Sequence, residues 1–563
     1  MIEVNSVTES KIHENMEISN HKDPNVRIVS IEDGVDNLGF RKFSAYVKSI
    51  HPNTEVSYVP TGNLRNVIKV WSEKEARNLS DEQMHSVAKY LAKGDIIGFS
   101  SMTQYSSIVY RIISKIRKLN PSAYIIWGGI HPIVEPEDAI KHTDAICTGE
   151  GEFAFKIFLE LFKNGKDYTT TPSFWFKQNN TIIKNRNLPL MKSEEMDKLP
   201  PLTYEDGELI YQTGKGFKKI DYNDFVRYTG LGYNAIWTIG CPLHCSFCAN
   251  TKFIEYDSNY RKLRHSSPQT MINEVKRVLS KHPHISTVSF YDDSFLSLPY
   301  AKLEEFCNLW KKEVNIPFVV VGIIPNYVRE EKIAILVDAG MNRLRMGIQS
   351  GSENILEFYK RPTKLKRIKE ATVIFNKYKK YMVAPAYDII IDNPIETQED
   401  TLATVDLIYE MPRPFTLNVY SLRVIPNTSM AKQLEDRGVD IPSITKYYGS
   451  GYHRTMANSL IFALTFWKIP KWLYKILRKK VYPMQMKQPY YPILFTLART
   501  GYMLKRAYDH LRFLDFSILP GKVGYYLWKF KIIGLWQKLF TKRFHLTDIS
   551  PKADPKPDMS PKV

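Results

Sequence analysis

Cys241, Cys245 and Cys248 stand in the run Ile-Gly-Cys-Pro-Leu-His-Cys-Ser-Phe-Cys-Ala-Asn, and they are three of only five cysteines in 563 residues. Thiolates held this close together are usually metal ligands. The C-x3-C-x2-C spacing supplies three ligands, whereas a [4Fe–4S] cubane takes four. Three cysteines would therefore leave one iron open to a small molecule. A structural zinc knuckle is the alternative, and zinc would want a fourth Cys or His at knuckle spacing. His244 lies inside the first loop and is expected to point away from its cysteine neighbours. Cys147 and Cys307 are remote in the chain.

Residues of this kind need elements to carry them. The length predicts two or three domains, and 44% apolar residues is ordinary for globular protein. Few cysteines, mostly clustered, argue against a secreted disulfide framework and for a reducing cytosol. The polar start Met-Ile-Glu-Val-Asn-Ser predicts no signal peptide. No apolar run approaches the roughly 18 residues of a membrane-spanning helix; the longest, 460–467, is bounded by Lys468, Pro470 and Lys471. The net charge of +19 is uneven. Residues 451–563 hold 21 Lys+Arg and 5 Asp, whereas the first 450 residues are nearly balanced. A basic excess in the last fifth of the chain suggests a separate module with an anionic partner.

From Val26 the pattern alternates between strand and helix. Strands are expected at 26–31, 54–59, 95–100 and 123–127, with helices at 40–49, 81–93 and 106–119. Near-continuous apolar strands in such alternation predict a parallel sheet covered on both faces, and such sheets bind ligands at the carboxyl ends of their strands. Residues 166–233, rich in Asn, Lys, Pro and Tyr, read as a connector containing one edge hairpin around Asn179-Asn180. From Asn234 alternation resumes, with strands expected at 235–240, 287–292, 318–323, 343–349, 386–391 and 416–424. Helices at 267–281, 300–314, 330–339, 364–379, 398–409 and 429–437 complete six strand-helix pairs. Six pairs suit a partial (β/α)6 barrel, whose chemistry sits at the carboxyl ends of the strands. The cysteines are expected directly after its first strand.

The cysteine run, with Phe247 before the third cysteine, resembles the cluster motif of the radical S-adenosylmethionine (SAM) enzymes. The resemblance implies a [4Fe–4S] cluster on Cys241, Cys245 and Cys248 whose open iron chelates SAM, and reductive cleavage of SAM to a 5′-deoxyadenosyl radical. It also implies that Asp292, in Tyr291-Asp292-Asp293-Ser294, approaches the SAM amino group. Met346-Gly-Ile-Gln-Ser-Gly-Ser-Glu353 resembles the family's Gly-Ile-Glu-Ser-Gly segment, which implies SAM contacts from Gln349 and Ser350. Gln349 stands in place of the usual Glu; it can still hydrogen-bond a hydroxyl but carries no charge. Val424-Ile-Pro-Asn-Thr428 resembles the family's Pro-Gly-Thr turn, with Asn427 in the glycine slot, where positive φ is tolerated.

Upstream, Ser100-Ser101-Met102-Thr103, Gly128-Gly129-Ile130-His131-Pro132 and Gly149-Glu150-Gly151-Glu152 together resemble the cobalamin-binding domain that precedes the radical domain in one large group of these enzymes. The alternative is a ligand-free flavodoxin-like domain. The resemblance implies corrin contacts from Ser101, Gly128 and Gly129. Many such domains offer cobalt a histidine in Asp-x-His-x-x-Gly. Here, aligned on Gly39, that slot holds Asp36, so cobalamin is expected without a histidine lower ligand. His131 is read as ordering its loop.

The last module interleaves Trp, Tyr, Phe and Leu with Lys and Arg, as in 468–482 and 525–543, and contains no glutamate. Helices in a membrane interface fit this pattern. A helical cap with solvated lysines is the second reading, and nucleic-acid contact is the least favoured.

The fold expected is thus α/β: a Rossmann-like cobalamin-binding domain, then a partial (β/α)6 radical SAM barrel, then a basic, mainly helical C-terminal module. The boundaries are a disordered tail at 1–25, the cobalamin domain at 26–165, the connector at 166–233, the barrel at 234–438, the basic module at 439–547 and a disordered tail at 548–563. The resemblance, to class B-type radical SAM methyltransferases, implies C-methylation of an unactivated carbon on a small-molecule or lipid substrate. It also implies an external electron donor such as flavodoxin or ferredoxin. A cytoplasmic location is expected, at the inner face of the membrane if the basic end docks there. Ring formation or rearrangement by the same domains without methyl transfer is the alternative. A metal-binding, membrane- or nucleic-acid-associated protein is the non-enzyme alternative.

Overall fold

A computed structural model describes residues 23–61, 79–201, 207–439 and 454–541, apart from residue 180 and a few positions between 484 and 520. The apolar runs expected as strands form β1 (Val26–Glu32), β2 (Thr54–Pro60), β3 (Ile96–Ser100), β4 (Tyr124–Gly128) and β5 (Ala145–Cys147). They pair in parallel in the order β5-β4-β3-β1-β2. Apolar on both faces, they are sandwiched between two buried clusters, one built on Ile97, Trp127 and Ile112, the other on Ile28, Phe158 and Val47. The strand order reverses between β1 and β3, which opens a crevice at the carboxyl ends of those strands.

The segment expected as a connector is largely threaded into this sheet. The hairpin of β6 (Phe174–Gln178) and β7 (Thr181–Lys184) extends one edge beyond β5. A second hairpin, β8 (Leu209–Gln212) and β9 (Gly216–Lys219), extends the other edge beyond β2, giving nine strands in all. Buried apolar groups such as Phe174, Phe176 and Ile210 drive this. Their alternation with polar neighbours is short and easily read as linker.

The second sheet runs β10 (Gly232–Ala235), β13 (Thr287–Phe290), β14 (Phe318–Ile323), β15 (Met341–Gln349), β16 (Ala386–Ile391) and β17 (Thr416–Ser421), all parallel and in sequence order. Helices including Pro268–Lys281, Tyr300–Glu313, Glu330–Asp338, Leu365–Lys377 and Gln398–Glu410 cover its outer face. The first strand lies earlier than the expected 235–240, and the cysteines do not follow it directly. Between them the chain forms a two-residue strand, β11 (Thr238–Ile239), antiparallel to β12 (Arg264–His265).

Along β15, Leu344, Met346 and Ile348 are fully buried among the helices, while Arg343, Arg345, Gly347 and Gln349 line the inner face. The inner face is polar. Arg345 donates to both oxygens of Asp388 at 2.7 Å and to the Tyr420 hydroxyl at 2.7 Å, and Asn418 donates to Asp388 at 2.9 Å.

The basic module is helical, as expected, and it is part of the barrel's core rather than a detachable appendage. Helix Met456–Phe466, which holds the longest apolar run, buries Leu460, Ile461, Phe462 and Leu464 against the barrel helices. Helix Pro492–Arg512 packs across it; a Cβ on Gly501 would lie 2.9 Å from the Phe466 ring, so a larger residue there would push that ring aside. The following turn brings Asp515 to Arg343 at 2.8 Å. Helix Gly521–Lys529 then reaches the other end of the sheet, packing on helix Tyr222–Thr229 beside β10. The module thus runs from the β17 side of the open barrel to the β10 side.

Of the ends expected to be disordered, residues 1–22 and 548–563 lie outside the described residues. Residues 23–25 are tied in: Asn25 N donates to Asp95 at 2.8 Å and the Pro24 carbonyl meets His51 Nε2 at 2.8 Å. Among the described residues no helix is long and apolar enough to cross a membrane.

Candidate functional site

The cysteine loop leaves β11 at Gly240, whose φ is +114°; a Cβ there would stand 2.6 Å from the Lys262 carbonyl. The loop is then fastened on two sides. Cys241 N donates to the Tyr260 carbonyl at 3.1 Å. Ser246 N donates to the Tyr359 carbonyl at 2.9 Å and Ser246 Oγ to the Phe358 carbonyl at 3.0 Å. Phe247, the aromatic before the third cysteine, packs edge-on against Tyr359 with ring centroids 5.1 Å apart. Cys241, Cys245 and Cys248 share one small apolar cluster with Leu243, Phe247, Ile324 and Tyr327.

The donor set fits a cluster better than one ion. Among the described residues, one group of three or more His, Cys, Asp or Glu has ligand atoms within 4.8 Å of one another, and it is His131, Glu135 and Asp138, not the cysteine trio. His244 does not join the cysteines in such a group. Burial pushes the Cys241 thiol up to about 11 and the Cys248 thiol up to about 12. A cationic metal centre would supply what is needed to hold these sulfurs as thiolates.

Two neighbours charge this place. Arg361 Nη1 lies 3.6 Å from Cys245 Sγ. Asp293, open to the barrel mouth, acts electrostatically on Cys241 and Cys248 and lies 3.4 Å from the Tyr260 hydroxyl. Neither stood out in the sequence analysis. For Arg361 no spacing rule reaches across more than a hundred residues; for Asp293 the signal was its place in an Asp-Asp pair at a strand end.

Asp292 is placed differently from its neighbour. It is buried, and its Oδ1 accepts from Trp237 N at 3.1 Å and from Thr238 N. Burial pushes its carboxyl up to about 7. Among the described residues Oδ2 has no partner. One oxygen of Asp292 thus ties β13 to the start of the cysteine loop, and the other is left for a donor brought from outside.

Gln349 ends β15 with φ of +75°, and its Nε2 lies close over Gly347, where a Cβ would be 2.5 Å away. Ser350 is fully buried; its Oγ meets Thr404 Oγ1 at 3.2 Å and accepts from Ser352 N at 3.1 Å. Its hydroxyl therefore shapes the turn. Asn427 has φ of +57°, as expected for the glycine slot.

In the first sheet, Ser101, Gly128 and Gly129 come together at the carboxyl ends of β3 and β4. Ser101 Oγ accepts from Trp127 Nε1 at 3.1 Å, and its carbonyl accepts from His131 N at 3.2 Å. Gly129 has φ of +87°, and a Cβ there would be 3.0 Å from Ser101 N. Met102 projects, 42% exposed, from the same rim, and the buried Thr103 Oγ1 has no partner among the described residues. An exposed thioether and an unmet hydroxyl at the crevice fit a large ligand with an apolar face and polar arms. His131 is fully buried, with Nε2 2.8 Å from the Tyr110 hydroxyl, and burial pushes its imidazole down to about 4. Trp127 and Asp138 also lie against it. Asp36 accepts from Asn234 of β10 at 3.4 Å.

The two sheets meet through these same loops. Arg264 of β12 pairs with Glu150 at 2.8 Å. The Tyr256 hydroxyl donates to the Ile133 carbonyl at 3.1 Å, and Asn427 Nδ2 to the Val134 carbonyl at 3.1 Å. The segments that follow β4 and β5 are therefore set against the mouth of the barrel.

Comparison with known proteins agrees with both halves. The radical SAM superfamily matches residues 235–408, and the B12 binding domain matches residues 75–159. An uncharacterised methyltransferase of Pyrococcus horikoshii is 22% identical over 332 residues, covering 58% of this chain and 66% of that protein. Cytidylyl-2-hydroxyethylphosphonate methyltransferase of Streptomyces wedmorensis is 25% identical over 313 residues, covering 51% and 56%. An anaerobic magnesium-protoporphyrin IX monomethyl ester cyclase of Rubrivivax gelatinosus is 23% identical over 420 residues, covering 69% and 66%. The chain spans between about half and two thirds of the length of these relatives. The fold is shared with TsrM of Kitasatospora setae, a radical S-adenosylmethionine methyltransferase, at a TM-score of 0.57 and 15% identity, covering 76% of this chain and 80% of that one. It is also shared with OxsB, a cobalamin-dependent S-adenosylmethionine radical enzyme, at 0.57 and 14%, covering 93% and 80%.

Proposed function

This chain belongs to the radical SAM enzymes that carry a B12-binding domain, and from that premise we propose that it methylates an unactivated carbon of a small-molecule or lipid substrate. The observation that carries the reading is the apposition of the two sites. The Glu150–Arg264 pair and the Tyr256 and Asn427 contacts set the segments after β4 and β5 against the barrel mouth. A carbon activated in the barrel would then lie on the side of the molecule that faces a methyl carrier in the first sheet.

In this reading Cys241, Cys245 and Cys248 hold a [4Fe–4S] cluster. Gln349, the turn that Ser350 shapes and Oδ2 of Asp292 serve SAM, and Ser101, Gly128 and Gly129 serve the corrin. When bound, these groups supply hydrogen-atom abstraction and methyl transfer, which no side chain here can perform. The protein's own part is placement and charge. The protonated form of Asp292, favoured by burial, donates a hydrogen bond; the ionised form pairs with an ammonium. The Arg345–Asp388–Tyr420 network fixes the polar inner wall, and the half-buried Arg345 guanidinium has its charge already paired with Asp388. An external reductant such as flavodoxin or ferredoxin supplies the electron.

The test is anaerobic reconstitution with iron, sulfide, cobalamin and SAM, followed by product analysis. Methyl transfer yields S-adenosylhomocysteine together with 5′-deoxyadenosine. 5′-Deoxyadenosine alone, with an unmethylated and rearranged product, would favour ring formation, the reading to which the likeness to the cyclase lends weight.

We also read the basic module as the face that meets an anionic membrane surface at the cytoplasmic side. Its helices expose Trp472 (64%), Ile493 (76%), Leu497 (65%), Leu504 (67%), Tyr508 (62%) and Phe530 (69%). In helix Pro492–Arg512 these lie opposite the buried Phe495, Ala498 and Tyr502. Lysines and arginines flank them throughout. Apolar groups on the outside of a protein, rimmed by one sign of charge, mark an interaction surface.

A further inference from the structure

We propose that Arg361 is a positioning residue that sets the reduction potential of the cluster on Cys241, Cys245 and Cys248. The inference rests on the cluster assignment but concerns a residue outside the cysteine motif.

Arg361 is only 7% exposed. It follows helix Glu353–Phe358, where the chain turns through Lys360 at φ of +49° and Arg361 N donates to the Leu356 carbonyl at 2.9 Å. Its side chain reaches two places at once. Nη2 donates to the Gly347 carbonyl of β15 at 2.6 Å, and Nη1 lies 3.6 Å from Cys245 Sγ. Nε has no partner. Among the described residues no carboxylate stands within ion-pair distance of this guanidinium. A buried cation without a counter-charge is strongly disfavoured. The group that can serve as its counter-charge is the thiolate beside it.

The same short segment, Phe358–Arg361, holds the cysteine loop through the Ser246 hydrogen bonds and the Phe247–Tyr359 contact. The guanidinium is therefore fixed in relation to Cys245 rather than free to swing toward water. On the other side Asp293 brings a negative charge to Cys241 and Cys248. Arg361 and Asp293 therefore bring opposite charges to the same cysteine loop.

The direction of the effect follows from charge alone. Reduction adds one electron to the cluster, so the reduced state carries one more negative charge. A cation held nearby in low dielectric favours that state and raises the potential. Removing the cation makes the cluster harder to reduce; removing Asp293 makes it easier.

The test is a potentiometric titration of the reconstituted full-length protein without SAM, monitored by paramagnetic resonance after iron and sulfide have been quantified. Arg361→Met is expected to lower the midpoint by about tenfold in the one-electron equilibrium, about 59 mV. Arg361→Lys should stay near the parent value, and Asp293→Asn should move the opposite way. A fully loaded Arg361→Met protein with an unchanged midpoint would overturn the proposal. Should that variant fail to load iron, Arg361→Gln, which can still bond the Gly347 carbonyl, reads the same shift. If both neutral variants lose iron while Arg361→Lys loads fully, the role is structural and the proposal fails. Absence of iron and sulfide from the parent protein would instead refute the cluster assignment itself.

Discussion

Glu150 and Arg264 join the two halves of the molecule: a carboxylate after β5 of the first sheet and a guanidinium in β12 of the barrel, 2.8 Å apart. Each also secures a piece of the intervening chain, since Met191 N donates to Glu150 at 2.7 Å and Arg264 Nη1 donates to the Met191 carbonyl at 2.8 Å. Arg264→Met should therefore cost on the order of 1–3 kcal/mol, the usual loss when a largely buried partner is removed. Cluster assembly and cobalamin binding should persist, while methylation falls by about tenfold or more because the sites are no longer held in register. SAM cleavage that continues while methyl transfer fails is the expected signature. Equal loss of both would point to a folding defect instead.

Replacing Cys241, Cys245 or Cys248 with Ala should abolish the brown chromophore and SAM cleavage, since three ligands are the minimum for the site. Cys147 and Cys307 are buried, and burial pushes both thiols up to about 12. Their Ala variants should keep full iron. Retention of the cluster by a Cys245 variant and its loss from a Cys307 variant would refute the assignment.

Cobalamin bound here should show no protein imidazole nitrogen in its paramagnetic resonance spectrum. Asp36 stands in the histidine slot, and His131 is enclosed with its Nε2 on Tyr110. Nitrogen coupling that disappears in a His131→Ala variant would reject this reading.

Glu396 gives a pH dependence with a definite sign. It is buried near Asp392 and Asp400, and its carboxyl is pushed up to about 8, chiefly by burial. An unfolded glutamate titrates near 4.3. Between these values the folded protein holds more protons than the unfolded chain, so stability falls as the pH rises from about 4.3 to about 8. Glu396→Gln removes that contribution. Melting of the cofactor-free protein should show the variant gaining on the parent across this window and the difference levelling off above it. Parallel melting profiles across the window would contradict the assignment.

The basic module should bind vesicles containing anionic lipid, with part of the binding lost as salt rises. Surface attraction decays over a Debye length of about 10 Å at 0.1 M salt. Serine at Trp472, Leu497 and Phe530 together should remove the portion that salt leaves. Point changes are required here because residues 456–502 supply much of the barrel's outer core; deleting the module would unfold what it covers. Equal binding to neutral and anionic vesicles would exclude the electrostatic component, and tighter binding to nucleic acid would favour the remaining alternative.

The sequence by itself determined the clustering of three cysteines, the two sheets and the turn at Asn427. These are local facts: a C-x3-C-x2-C run, apolar strands at regular intervals, a residue suited to positive φ. The tertiary structure decided what depends on contacts between distant segments. It placed the expected connector in the edges of the first sheet, where pairing with β2 and β5 satisfies its backbone. It turned Asp292 into the fold and left Asp293 at the mouth, because adjacent residues at a strand end face opposite ways. It moved the first barrel strand back to Gly232–Ala235 and inserted β11 before the cysteines. It also made the basic module part of the barrel, since composition shows that a helix is amphipathic but not which of two apolar stripes is buried. Arg361 shows the limit most plainly. Nothing in its neighbourhood along the chain distinguishes it, and its role arises only because folding leaves its charge buried beside Cys245.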